Sequence, residues 1–166
     1  KMTIEGVEVG EDAPAVVDFA LEPGGGFYVY NVSTVINPHS RVYDNVTHAH
    51  MAIGPPDGVP FSIGEQGDVV LELGTPLGDV VGPDLAIHST PAGEEERCQV
   101  YIGEHYMGPW TLLGEAEGST SFDVAEAGLE NAKFVRLVDL GNGPVDGPYS
   151  GFDVDAIENL THEAVI

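Results

Sequence analysis

The sequence predicts an all-β chain folded as an antiparallel β-sandwich, and three observations predict it. Its 166 residues include 22 Gly and 12 Pro, which break the chain into short apolar runs. No stretch carries the sustained 3.6-residue apolar period of an amphipathic helix. Candidate strands recur at roughly 8 to 14 residues, the spacing expected of sandwich strands. A hydrophobic content of 42% supplies a core, and the length fits one domain.

Taken in order, residues 2–9 place Met2 and Ile4 in one phase and Val7 and Val9 in the other, with Gly6 at the switch. A strand with a bulge follows from that pattern. Residues 15–21 form a second candidate, closed by Gly24, Gly25 and Gly26. The strongest β signal is 27–36, rich in Tyr and Val with no breaker. Further strands are predicted at 41–43, 68–73, 84–88, 98–102, 111–113, 119–124, 133–139 and 152–158, with one helical turn at 126–131. There is no internal repeat.

Charge narrows the function. Twenty-eight Asp and Glu against five Lys and Arg give a formal net charge of −23. Nucleic-acid binding needs clustered cations to neutralise phosphates, so no nucleic-acid partner is expected. Adsorption to anionic membranes is disfavoured for the same reason. No apolar run approaches the roughly 20 residues that span a bilayer, so membrane insertion is not expected. Cys98 is the single cysteine and reads as a small buried hydrophobe, with no partner for an internal disulfide. Three of the six Asn, namely Asn31, Asn45 and Asn159, begin Asn-x-Ser/Thr triplets. They point to export, a cell-surface location and covalent N-glycans.

The last third holds Val100-Tyr101-Ile102-Gly103, Trp110-Thr111-Leu112-Leu113-Gly114, Phe134-Val135-Arg136-Leu137 and Gly151 through Glu158, after an earlier Ala52-Ile53-Gly54-Pro55-Pro56-Asp57-Gly58. In that order they resemble the discoidin-like (coagulation factor type C) branch of the galactose-binding-like β-sandwiches, as found in prokaryotic cell-surface proteins. The resemblance covers about residues 41–160 and implies a jelly-roll sandwich. Residues 1–40 fall outside it as an extra N-terminal strand region, and 161–166 form a tail. The paired cysteines of animal relatives are missing.

The resemblance implies a structural calcium ion, held by Asp57, by carbonyls near Gly58, Pro60 or Ser62, and by Glu158. Calcium takes six to eight oxygens, and a Gly/Pro-rich loop exposes carbonyls at little cost. Phe152, Val154, Ala156 and Glu158 share one face of a regular last strand, where a carboxylate asks for a partner. Asp153 and Asp155 fall on the opposite face, expected in water or on a second ion with Asp146 or Asp139. Trp110 matches a position that packs in the core of relatives. Tyr149 and Tyr106 are the loop aromatics suited to stacking on sugars.

Other constellations reach no chemistry. His48 and His50 share a strand face but lack a third metal ligand. Glu94-Glu95-Glu96 reads as a charged turn, and no nucleophile elbow, zinc-protease helix or phosphate loop is present. The expectation is a non-catalytic, calcium-stabilised, glycosylated subunit of a cell-surface fibre or layer. Ile4, Val7 and Val9 would be donated to a neighbouring copy or, equally, pair at home as an edge strand. Partners would then be copies of itself or other surface proteins. The alternative is a carbohydrate-binding module or adhesion domain with glycans as ligand.

Overall fold

Two antiparallel sheets face one another across a single apolar core. The computed structural model describes residues 27–36, 49–90, 96–129, 131–141 and 150–161. Nine strands lie among them: β1 (Val29–Ile36), β2 (Phe61–Ser62), β3 (Asp68–Leu73), β4 (Leu85–Ser89), β5 (Arg97–Gly103), β6 (Thr111–Glu117), β7 (Thr120–Phe122), β8 (Phe134–Asp139) and β9 (Asp153–Asn159). Five form one sheet in the order β1-β3-β8-β5-β6, and four form the other in the order β2-β9-β4-β7. Short 3-10 turns at Ala49–Ala52 and Ala125–Ala127 replace any longer helix among the described residues.

Alternation explains the central strands. In β5, Cys98, Val100 and Ile102 are buried while Gln99 and Tyr101 are half-buried; in β8, Val135 and Leu137 are buried while Phe134, Arg136 and Val138 are not. The inward residues meet Phe61, Leu71, Leu85, Ile87, Phe152 and Ile157 in the core. Each large side chain fully buried there contributes roughly 1.5–3 kcal/mol. β9 departs from alternation because β2 and β4 flank it and both its faces are covered; only Glu158 of its seven residues is not fully buried.

The strands expected at 68–73, 84–88, 98–102, 111–113, 119–124, 133–139 and 152–158 all appear, shifted by a residue or two and with β6 extended to Glu117. The short β2 and the Ala49–Ala52 turn were not expected. β1, from the region expected to stand outside the sandwich, is hydrogen-bonded to β3 along most of its length. Residues 2–9 with Ile4, Val7 and Val9, and the candidates at 15–21 and 41–43, lie outside the described residues.

Candidate functional site

The face of the five-stranded sheet turned away from the core gathers aromatic side chains. Register builds it in rows. Trp110, one residue before the Thr111–Ile102 pair, lies beside Gly103, which pairs with Phe134, which pairs with Glu72, which pairs with Asn31. The next row runs Leu112, Tyr101, Arg136, Val70, Thr34. Residues paired across strands point to the same side, so both rows share one surface.

Polar groups fix this surface. Arg136 donates two hydrogen bonds to Asp68, at 2.9 and 2.6 Å. That holds its guanidinium 5.5 Å from the centre of the Tyr101 ring and 5.9 Å from that of Trp110. The Asp68 bond also raises the already high pKa of Arg136. Lys133 lies 2.8 Å from Glu72 and 5.9 Å from the centre of the Phe134 ring. Glu72 accepts from Asn31 at 3.2 Å and from the Tyr30 hydroxyl. Burial raises the Glu72 pKa, but the Lys133, Asn31 and Tyr30 bonds outweigh it and leave it below the ordinary value. Both cations on this face are thus neutralised by carboxylates while their donors stay at fixed angles.

Trp110 was expected in the core; it lies instead half-buried on this outer face. It has the outward parity of Leu112, which is 51% exposed. Its ring rests on glycines: a Cβ added at Gly103 would come within 3.0 Å of it, and one at Gly108 within 2.9 Å. Tyr106 extends the surface along the β5–β6 loop, 51% exposed, beside the 77% exposed Met107. Tyr149 lies outside the described residues.

The residues expected to bind calcium each have hydrogen-bond partners within the fold. Asp57 is exposed, and its carboxylate accepts from the Val59 amide at 2.9 Å. The amides of Asp57 and Gly58 donate to the two oxygens of Asp155, at 3.1 and 2.9 Å. Donors, rather than carbonyls, therefore face that carboxylate. Glu158 lies three residues further along β9, where His88 Nε2 approaches it at 2.9 Å and Tyr28 donates to it. Ser62 donates to Asp153 through a very short hydrogen bond.

Asp153 and Asp155 were expected in water or on a second ion. They are 1% and 6% exposed: the amides of Asp57 and Gly58 close over Asp155, and Ser62 covers Asp153. Glu96 was expected in a charged turn and is 3% exposed, since the inward parity of Cys98 and Val100 continues back to it. A trio of carboxylates, Asp79, Asp84 and Asp123, has oxygens within 4.8 Å of one another. Asp84 is spoken for, accepting from Val80 and Val124 amides at 2.9 Å each, and the other two are exposed.

Two of the expected glycan acceptors are described. Asn31 has an exposed side chain on β1. Asn159 is fully buried: its Nδ2 donates to the Thr75 and Pro76 carbonyls at 3.0 and 3.1 Å, and its Oδ1 accepts from Thr161. A glycan on that nitrogen is incompatible with the folded chain. Asn45 and His48 lie outside the described residues; His50 is exposed.

No family model matches the chain, and no curated protein does. Solved structures that it matches include the CBM32 of AlyQ in complex with 4,5-unsaturated mannuronic acid. There the TM-score is 0.40 at 12% identity, covering 78% of this chain and 96% of that one. Another is the CBM32-1, CBM32-2 and M60 catalytic domains from Clostridium perfringens ZmpB, with a TM-score of 0.33 at 10% identity, covering 89% of this chain and 14% of that one. At these values the fold assignment stands on the chain's own sheet order and register.

Proposed function

We propose that the protein is a non-catalytic glycan-binding β-sandwich of the cell exterior, and that sugar docks on the outer face of the five-stranded sheet. One observation carries the reading: Trp110, Phe134 and Tyr101 share that face with Arg136, Asp68, Glu72 and Asn31 in a fixed network. A pyranose offers apolar C–H faces to rings and hydroxyls to planar polar groups. A surface holding both at set spacing meets both demands. Its ion pairs are internally neutral, which favours an uncharged sugar. The acidic composition supports an exterior location.

Cys98 supports the non-catalytic reading. It is fully buried, and burial, followed by the Asp139 charge, pushes its thiol far above the ordinary range, so it is no nucleophile. Assembly into a fibre through Ile4, Val7 and Val9 would use residues outside the described set. The test of the glycan reading is retention on a glycan array by the full chain and by Trp110→Ala and Tyr101→Ala. Each substitution is expected to weaken retention about tenfold or more while the fold is kept.

A further inference from the structure

A bulge in β1 adds a third ring to the outer row. Val29 pairs with Leu73 and Asn31 with Glu72, so Tyr30 is the extra residue between two pairs. Val29 points into the core and Val32 packs against it, which turns both Tyr30 and Asn31 outward. Both reach Glu72: Asn31 donates to it at 3.2 Å, and the Tyr30 hydroxyl donates to it as well. Tyr30 is 52% exposed, whereas Glu72, bonded by Tyr30, Asn31 and Lys133, is 9% exposed on the same face.

Three ring-bearing positions are evenly spaced along this row. Trp110 leads into β6, Phe134 opens β8 and Tyr30 lies on β1, in a sheet ordered β1-β3-β8-β5-β6. Each backbone position is two strands from the next, about 9–10 Å, and the row spans about 19 Å. Gly103 separates the first two positions and Glu72 the other two. The row has no net charge of its own, since Lys133 is paired with Glu72 and Arg136 with Asp68.

We propose that the row binds a single extended neutral β-1,4-linked polysaccharide, laid across the strands from Trp110 to Tyr30, with Tyr30 as its far anchor. This rests on the glycan reading above and narrows its ligand. Positions two strands apart match every second sugar of an extended polymer, and about four linked pyranoses cover the row. Equatorial 1,4 linkages keep a polymer straight over that length, whereas α-linked ones coil. A neutral row on a chain of net charge −23 turns polyanions away. Twist sets the form of the ligand. Neighbouring strands rotate by about 20–25°, so the row turns through roughly 80–100° from β6 to β1. One polymer strand turns with it, while the flat face of a crystalline polymer meets only one end.

The test is calorimetry of the full chain with the disaccharides and hexasaccharides of the cellulose, xylan and β-mannan backbones. At least one hexasaccharide is expected to bind about tenfold or more tighter than its disaccharide, because the far ring acts intramolecularly once the near one is engaged. Tyr30→Ala is expected to weaken that hexasaccharide about tenfold and to leave the disaccharide unchanged. Tyr30→Phe keeps the ring and is expected to bind as wild type, which separates stacking from the Glu72 bond. With microcrystalline cellulose the protein is expected to stay in the supernatant. Equal affinity for both lengths, no uptake of any of the three hexasaccharides, or sedimentation with the crystals would each overturn the extended site. So would a Tyr30→Ala chain that binds the hexasaccharide as wild type does, or a Tyr30→Phe chain as weak as Tyr30→Ala. The glycan reading survives those results where other sugars are still retained on an array through Trp110 and Tyr101; both fall where no sugar is retained.

Discussion

Arg136 and Asp68 are joined by two parallel hydrogen bonds, of 2.9 and 2.6 Å, on the outer face of the five-stranded sheet. The pair holds the guanidinium 5.5 Å from the centre of the Tyr101 ring and 5.9 Å from that of Trp110. Asp68→Ala removes the anchor and leaves the rings unclamped. The pair is partly exposed, with side chains 32% and 20% accessible, so the stability cost is modest, about 1 kcal/mol in urea unfolding. Trp110 is the single tryptophan, so its emission reports the change directly, shifting to longer wavelength as the ring loosens. An unchanged spectrum would mean that Arg136 does not position the ring.

Asp139 holds three loop amides, those of Gln66, Gly141 and Phe152. Asp139→Ala leaves the buried Phe152 amide unsatisfied and returns the part-buried Gln66 and Gly141 amides to water. A loss of about 1–3 kcal/mol is expected, the cost of the one donor that water does not reach. Asp139→Asn keeps one acceptor oxygen and should lose less. Equal losses would show that charge, not the acceptor geometry, is what the loops need.

Stability should fall as pH rises through the neutral range. Burial, then the charges of Asp153 and Asp139, push Glu96 up to about 8. Burial, opposed by the Ser62 bond and aided by the Asp139 charge, pushes Asp153 up to about 6. The folded chain therefore binds more protons than the unfolded one above about pH 4, the ordinary carboxylate range. The contribution is complete below that range and is lost through pH 6 and then pH 8, with a slope up to about 1.4 kcal/mol per pH unit for each proton. Glu96→Gln should flatten the upper part of the profile. A melting temperature independent of pH from 5 to 9 would contradict this.

Peptide mapping of the chain secreted from a glycosylating host should find no glycan at Asn159. Asn159 spends both Nδ2 hydrogens on the 75–76 carbonyls and bonds Thr161 through its oxygen. Asn159→Ala should cost about 2–4 kcal/mol through the groups left unpaired. A glycan at Asn159 on folded protein would show that this corner opens.

The sequence carries the sandwich where apolar residues alternate, as in 98–102 and 133–139, because each such strand has one face on the core and one outward. It carries less where a strand is covered on both sides. In β9 the period vanishes, so Asp153 and Asp155 looked like a wet face when they are interior. β2 has only two residues, too short for any period. The aromatic face was illegible for another reason. Trp110, Tyr101, Phe134 and Asn31 meet only through pairings between strands far apart in the chain, and register across such gaps is set by the fold as a whole. Glu96 could have been found, since it keeps the inward parity of Cys98 and Val100.

The glycan reading meets its most direct test in the Trp110 emission of the full chain, titrated with the sugars retained on an array, alongside Tyr101→Ala. The account predicts a saturable change in wild type at concentrations where Tyr101→Ala, still folded, shows a response weaker by about tenfold or more. Retained sugars that leave the Trp110 emission unmoved, or a Tyr101→Ala chain that binds as wild type does, would contradict a binding site on this face.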